Sequence, residues 1–414
     1  VVNTFYSENV AGMFRTTRDF QNTTAQPAYV WDYRTQDIFN NRKQLSANVK
    51  VEYRLSPNSK FTLSALGGNN NEPFERRYET RAYAAQTVGT TGTAGILPGY
   101  TNRITQVRAA TGSTIDVTNA RYTGWSQNLR NAGFGAEHEF GRLQLDYDAL
   151  YSSARVLSTK KKDGQLIMRL NNIGWILDRT QDDLHPRFVQ TEGVDFNDPN
   201  NYRPAPNGLN NRNDGSMHRI RELRGNARYA LPFAAPTFFK TGVNWREQQI
   251  STWNLTQRWN YIGTGPLASS PGSIMYDQVK TGRRIPQWES DDYIKNGVPV
   301  NPALWREDVY YHETTKFTGT RQVTETVSAG YLMAQGKLGS DGFLRRTGYL
   351  TGVRAEKTEN NSWGWVRARV PSSAAQQQAD PVGSAQRDHA EVQRPVDVGE
   401  HPAAAAEHPA EDPS

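Results

Sequence analysis

The strictest hydrophobic pattern in the chain runs from Leu45 to Ala65. Leu45, Ala47, Val49, Val51, Tyr53 and Leu55 fill the odd positions, and Ser46, Asn48, Lys50, Glu52 and Arg54 the even ones. After Pro57-Asn58-Ser59, Phe61, Leu63 and Ala65 alternate with Thr62 and Ser64. A period of two predicts strands with one apolar and one polar face. Pro-Asn-Ser is turn chemistry, so the two runs predict a hairpin.

The device recurs. Ala132, Phe134, Ala136 and Phe140 lead through Gly141-Arg142 to Leu143, Leu145, Tyr147, Ala149 and Tyr151. Leu223, Ala227, Tyr229 and Leu231 lead through a turn from Pro232 to Pro236 to Phe239, Val243 and Trp245. Val323, Val327, Ala329, Tyr331 and Met333 lead through Gly339-Ser340-Asp341-Gly342 to Phe343, Tyr349, Val353 and Ala355. The polar rows between them carry full charges, such as Asp146, Asp148, Lys240 and Arg246.

Between hairpins lie long polar segments, roughly 85–122, 158–218 and 262–318. Compact soluble domains rarely contain structureless connections beyond about 12–15 residues. Short connections at one end and long ones at the other are the habit of outer-membrane barrels. The fold expected is therefore all-β: a partial antiparallel transmembrane β-barrel, a meander of hairpins with short periplasmic turns and long extracellular loops, ending in a disordered tail. Residues 165–177 predict a further hairpin inside one long loop, and residues 1–40 one or two weakly marked strands.

Composition changes this picture little. The chain has 414 residues, 36% hydrophobic and 11% aromatic, with no apolar run long enough for a membrane helix. A mean hydropathy of −0.76 suits a wall with a polar lumen and long loops. Aromatics near strand ends (Tyr122 and Trp125, Tyr147 and Tyr151, Trp253, Trp259 and Tyr261, Trp363 and Trp365) suggest interfacial girdles. There is no cysteine, hence no disulfide and no thiolate metal site. The net charge of +6 is a small excess over a mixed surface rather than a nucleic-acid stripe. Lys160-Lys161-Lys162 and Arg283-Arg284 read as solvated loop tips.

Catalytic patterns are missing. The seven histidines show no His-Glu-x-x-His spacing, and neither a nucleophile elbow nor a phosphate loop occurs. His138 falls in an apolar row and is assigned to packing. Asp195-Phe196-Asn197-Asp198-Pro199-Asn200 opens like a calcium loop but lacks its glycine and final glutamate, so an Asx-rich turn is expected. No enzyme activity, cofactor or metal is expected. From about Pro371 onward, Gln376-Gln377-Gln378, the alanine run 403–406 and the repeated Glu-His-Pro carry no strand period, which predicts a tail unable to fold.

Three stretches resemble the barrel of TonB-dependent outer-membrane receptors. Val1-Val2-Asn3-Thr4 is similar to the Gly-Gly-Val-(Val/Ile)-Asn ending of that family's plug. Residues 49–66, with Leu55-Ser56-Pro57-Asn58-Ser59, resemble an early barrel hairpin. Tyr349-Leu350-Thr351-Gly352-Val353-Arg354-Ala355-Glu356-Lys357-Thr358 is similar to a common mid-barrel strand. Trp363-Gly364-Trp365 and residues 374–387 also look like a large extracellular loop, so the resemblance covers about residues 1–390.

The resemblance implies a receptor in the cell outer membrane. It would take up a scarce nutrient such as a siderophore, cobalamin or oligosaccharide, in contact with membrane lipid and, in the full-length receptor, with the TonB complex. The plug and the TonB-binding box are not in this sequence, and the strands are too few for the family's barrel. The expected division is 1–370, a partial barrel, and 371–414, a loop remnant and low-complexity tail, foreign or out of frame. The small-molecule ligand is expected to meet Trp253, Trp259, Tyr261, Arg283, Arg284 and Trp288, although girdle or loop packing also accounts for these side chains. The competing reading is a secreted all-β carbohydrate-binding or adhesin-like protein.

Overall fold

The computed structural model describes residues 1–122, 125–158, 164–267, 275–278 and 283–398, the side chains of 74, 122, 125, 275–278, 283–285 and 394–398 excepted. The chain is mostly antiparallel strand. In order these are β1 (Val2–Gln21), β2 (Tyr29–Ser56), β3 (Ser59–Tyr83), β4 (Ile104–Val107), β5 (Thr114–Tyr122), β6 (Trp125–Phe140), β7 (Leu143–Leu157), β8 (Gly164–Asn171), β9 (Gly174–Asp178), β10 (Arg187–Glu192) and β11 (Arg203–Asn211). There follow β12 (Asp214–Ala230), β13 (Thr237–Asn254), β14 (Arg258–Tyr261), β15 (Met275–Gln278), β16 (Arg283–Pro286), β17 (Ile294–Lys295), β18 (Val298–Pro299), β19 (Trp305–Glu307), β20 (Arg321–Lys337), β21 (Gly348–Arg367) and β22 (His389–Val398). The helices are short: α1 (Val309–Thr318), α2 (Gly342–Arg346), α3 (Ala374–Ala379) and α4 (Pro381–Arg387).

The wall is a meander, β1-β2-β3-β6-β7-β12-β13-β20-β21-β22, in which every neighbour pair is antiparallel. All four predicted hairpins are present. Their turns lie at one end, because Ser59 faces His138, Leu143 faces both Phe140 and Tyr229, and Thr237 faces Gly336. Among the described residues the sheet is open, with β1 pairing only β2 and β22 only β21.

β3 forks. Its residues Ser59–Glu72 pair with β6, and Glu75–Tyr83 with β5. Pro73 sits at the fork, where a residue without an N–H interrupts the ladder cheaply. From this fork a second branch, β3-β5-β8-β11-β14-β19, builds a cap at the end away from the turns. The described parts of the long segments thus largely form strands. A three-stranded sheet, β10-β9-β4, completes the cap. Its core holds Tyr33, Ile115, Val117, Leu166, Met168, Trp175 and Leu209, all essentially inaccessible. Trp175 stacks on Phe188 at 5.5 Å, and Tyr33 on Phe188 at 6.1 Å.

Four expectations are corrected. Residues 165–177 do form two strands, β8 and β9, but not a hairpin. β8 pairs with β5 and β11 while β9 pairs with β4 and β10. Asn172, at φ 58°, turns the chain from one sheet into the other. In the fourth hairpin Phe343 belongs to α2, and the strand begins only at Gly348. The stretch after Pro371 is not uniformly without structure. Ser373 and Gln376 form a reciprocal capping box on α3, and β22 takes the open hydrogen-bonding edge of β21. The alanine run at 403–406 and the repeated Glu-His-Pro lie outside the described residues, as do Lys160-Lys161-Lys162. The fourth difference is the facing of β20, whose odd row lies on the charged face.

Candidate functional site

Residues paired across antiparallel strands share a face, so the register sorts every wall side chain. One cross-strand row runs Val51, Leu63, Phe134, Ala149, Leu223 and Trp245. Another runs Phe140, Leu143, Tyr229 and Phe239, just above the turns. Between and beside them on this apolar face lie Val49, Leu145, Val243 and Val353. Little protein covers it: Val243 keeps 67% and Val353 73% of its surface exposed. A groove of about 1020 Å³ crosses this face, lined by Phe134, Leu223, Val243 and Trp245 among others. It continues into a second of about 580 Å³ that reaches Tyr151 and Arg221.

The opposite face is charged and internally paired. Arg224 meets Asp148 at 2.9 Å, Asn226 donates to Asp146 at 2.6 Å, Arg228 donates to Gln144 at 2.7 Å, and Lys60 meets Glu137 at 3.1 Å. Lys50, Glu52 and Arg354 share this face.

β20 is phased against expectation. Ala329 pairs with Asn244 and Glu356, and Tyr331 with Gly242 and Arg354, which puts Ala329, Tyr331 and their row on the charged face. The odd row mixes Val, Ala, Tyr and Met with Glu325, and the even row is mostly small residues with Leu332, so alternation alone misleads here. The structure supplies the reason. Tyr331 lies over Gly242, where a Cβ would come within 2.6 Å of its ring, and donates a hydrogen bond to Asn226 at 2.8 Å. Leu332, 54% exposed, takes the apolar face instead.

The hairpin ends are staggered. Ser56–Ser59 closes the first hairpin level with His138 and Leu145, two residues short of the Phe140–Leu143 pair. That pair is level with Tyr229 and Phe239, yet the third hairpin continues two residues further, to the hydrogen bond from Leu231 to Thr237. Thr237 is level with Gly336 and Tyr349, and the fourth continues two further, to the bond from Leu338 to Thr347. Two residues per hairpin is one per strand. With a rise of about 3.3 Å per residue and about 4.8 Å between strands, the line of turns runs about 35° from the perpendicular to the strands. Along β7 the apolar row spans Leu143 to Tyr151. Measured perpendicular to that slanted line, it is about 22 Å deep.

The sequence-predicted ligand residues do not assemble into one open site. Trp259 (5% exposed) and Trp288 (2%) are buried in the cap core. Trp288 packs on Tyr202 at 5.2 Å; Tyr261 packs edge-on to Trp305 at 5.4 Å. Trp253 stands apart on β13, with the Arg155 guanidinium 5.8 Å over its ring. Arg283 and Arg284 lie in β16, and their side chains are outside the described residues. His138 sits on the apolar face between the Ser59 hydroxyl (2.9 Å) and the Tyr147 hydroxyl (3.2 Å). In the loop at 195–200, Asp195 and Asp198 accept from the backbone N–H groups of Asn197 and Asn200, both at 2.9 Å, closing Asx turns.

The cap's own charges escaped sequence reading. The Asp32 carboxylate is fully buried and takes bidentate bonds from Arg34, at 3.0 and 2.7 Å, while the Arg81 guanidinium reaches it at 2.9 Å through Nε. Burial pushes this carboxyl up, but the two guanidiniums outweigh it and hold it below its usual range. Arg169 grips Asp116 through two bonds of 2.7 Å. Arg76 pairs with Glu289 and Asp291, and Tyr78 donates to Glu289 at 2.9 Å. These partners lie up to about two hundred residues apart in sequence, which no local pattern reveals. No protein-family model, curated protein or solved structure matches this chain.

Proposed function

We propose that this chain is the wall and outer cap of an outer-membrane β-barrel, of the kind that takes up a scarce nutrient with TonB-dependent energy. The observation that carries the membrane reading is the slanted, exposed apolar band. A depth of about 22 Å is close to the roughly 25 Å apolar band of such barrels, and a slant of about 35° lies in their range of strand tilt. A stagger of one residue per strand is also the shear needed to close a sheet into a tilted barrel. The charged, internally paired face is then the lumen side, and the cap lies outside the cell. The transport role rests on the resemblance of residues 1–4, 49–66 and 349–358 to TonB-dependent receptors.

A second reading draws on the groove. An apolar hollow of about 1020 Å³ also suits a secreted β-protein that covers this face with a ligand or partner. Val243→Arg separates the two. In a lipid bilayer an arginine at mid-band costs about 2–4 kcal/mol, whereas on a water-facing surface it costs within about 0.5 kcal/mol. Urea unfolding of chain refolded into phosphatidylcholine vesicles reads the difference, and an unchanged midpoint would sink the membrane reading.

A further inference from the structure

At and above the upper edge of the apolar band, on the same face, stands a cluster of arginines on three adjacent strands. Arg130 of β6 and Arg219 of β12 share one cross-strand row, with Ser153 of β7 between them. Arg155 lies one same-face position above Ser153, and Arg221 one below Arg219. Neighbouring members are therefore about 7–10 Å apart at the backbone, close enough for long side chains to converge on one dianion. Arg130, Arg155 and Arg221 are exposed. The acidic side chain in these rows on the next strand is Glu247, which meets Arg221 at 3.0 Å. Arg219 donates to Gln249 at 3.3 Å, and Arg155 stands over Trp253. The cluster keeps a net excess of three positive charges on a face that is otherwise apolar below it.

Directly beneath lies the groove. Its upper part is lined by Tyr151 and Arg221, and it descends over Ala149, Leu223 and Phe134 to Val243 and the glycine-floored stretch at Gly225 and Gly330. A cationic head and an apolar trough in continuity match an amphipathic molecule better than a free anion.

We propose that this surface is a binding site for an acylated, phosphorylated lipid, with its phosphate among Arg130, Arg155, Arg219 and Arg221 and its chains in the groove below. The proposal rests on the membrane reading above and adds a specific headgroup to it. Guanidiniums bind phosphate oxygens through charge-assisted, bidentate bonds. Each basic residue at a membrane surface adds appreciably to anionic-lipid affinity.

The test uses the full chain in dodecyl maltoside micelles, examined by native mass spectrometry. The probes are dioleoyl phosphatidic acid, dioleoylglycerol with the same chains, and inorganic phosphate. Phosphatidic acid should bind at least about tenfold tighter than dioleoylglycerol, and millimolar phosphate should not displace it. The variant R130Q/R155Q/R219Q should lose that preference at least about tenfold while carrying an unchanged detergent belt. Glu247→Gln, which frees Arg221, should tighten binding about twofold. Equal binding of the two lipids, full retention by the triple variant, or displacement by phosphate alone overturns the proposal and leaves the membrane reading standing. A chain that carries no detergent belt overturns both.

Discussion

Leu209 and Leu223 are the same residue on consecutive strands, β11 and β12, yet Leu209 is wholly buried and Leu223 is 54% exposed. Leu209 pairs with Leu166 and Trp259 inside the cap, where the hydrophobic cluster closes over it. Leu223 pairs with Ala149 and Trp245 on the wall, where little protein lies above the sheet. Alternation names the face of a strand but not the medium that covers it. In the cap the medium is other protein, recruited from remote segments. On the wall the proposed medium is lipid.

The largest effect should come from opening the cap while the wall is watched. Trp175 is inaccessible, stacked on Phe188 and lodged between β4 and β10. Trp175→Ala should cost about 3–5 kcal/mol, the usual loss for truncating a buried aromatic. Hydrogen exchange should show amide protection falling in β8, β9 and β10 while β7, β12 and β13 keep theirs. Equal loss in both regions would mean that wall and cap form one cooperative unit rather than two separately held regions.

Charge gives a smaller effect. Asp32 is the buried anion between Arg34 and Arg81, whose side chains keep 33% and 28% of their exposure. Hydrogen bonds to charged groups contribute about 1.5–3 kcal/mol, so Asp32→Asn should destabilise the cap by that order. The pH dependence has a definite sign. The folded-state value is held below the unfolded one of about 3.9, so the contribution is present above that pH and is lost as pH falls through the folded value. Protection factors of the β2–β3–β5 amides in the cap should therefore fall more between pH 5 and pH 3 in the wild type than in Asp32→Asn. A parallel fall in both would remove Asp32 as the cause.

How much was legible in the sequence divides along the same line. The hairpins at Pro57, Gly141, Pro232 and Gly339 could be read because turn chemistry and alternation are local. The cap could not, since β5 meets β8 and β4 meets β9 only after dozens of intervening residues. Trp259, Tyr261 and Trp288 looked like ligand residues for the same reason. An aromatic in a polar segment reads as exposed until its remote partners, Tyr202 and Trp305 among them, are placed. Asp32 and Arg81 carried no signal at all, because a buried ion pair in a strand looks like any solvated one.

β20 gives the smallest effect and the finest test, since there the alternation itself pointed the wrong way. Ala329, taken from the sequence as an apolar-face residue, lies between Asn244 and Glu356 on the charged face. Ala329→Lys would place an ammonium beside the Glu356 carboxylate, which already accepts from Arg354 at 2.6 Å. The change should stay within about 0.5 kcal/mol, as surface substitutions away from buried features do. Leu332, between Thr241 and Val353, faces the other way. Leu332→Lys should cost about 2–4 kcal/mol in phosphatidylcholine vesicles, where a cation at mid-band meets hydrocarbon, and almost nothing in water. Urea midpoints of the two variants in vesicles decide both the phase of β20 and the medium on its apolar side. If Ala329→Lys is the costly one, Tyr331 does not cross Gly242 and the sequence phase was right. If both are silent, the face is wet and the wall is no membrane surface. Only a silent Ala329→Lys beside a costly Leu332→Lys fits a strand whose apolar side is lipid and whose aromatic, Tyr331, has turned inward to bond Asn226.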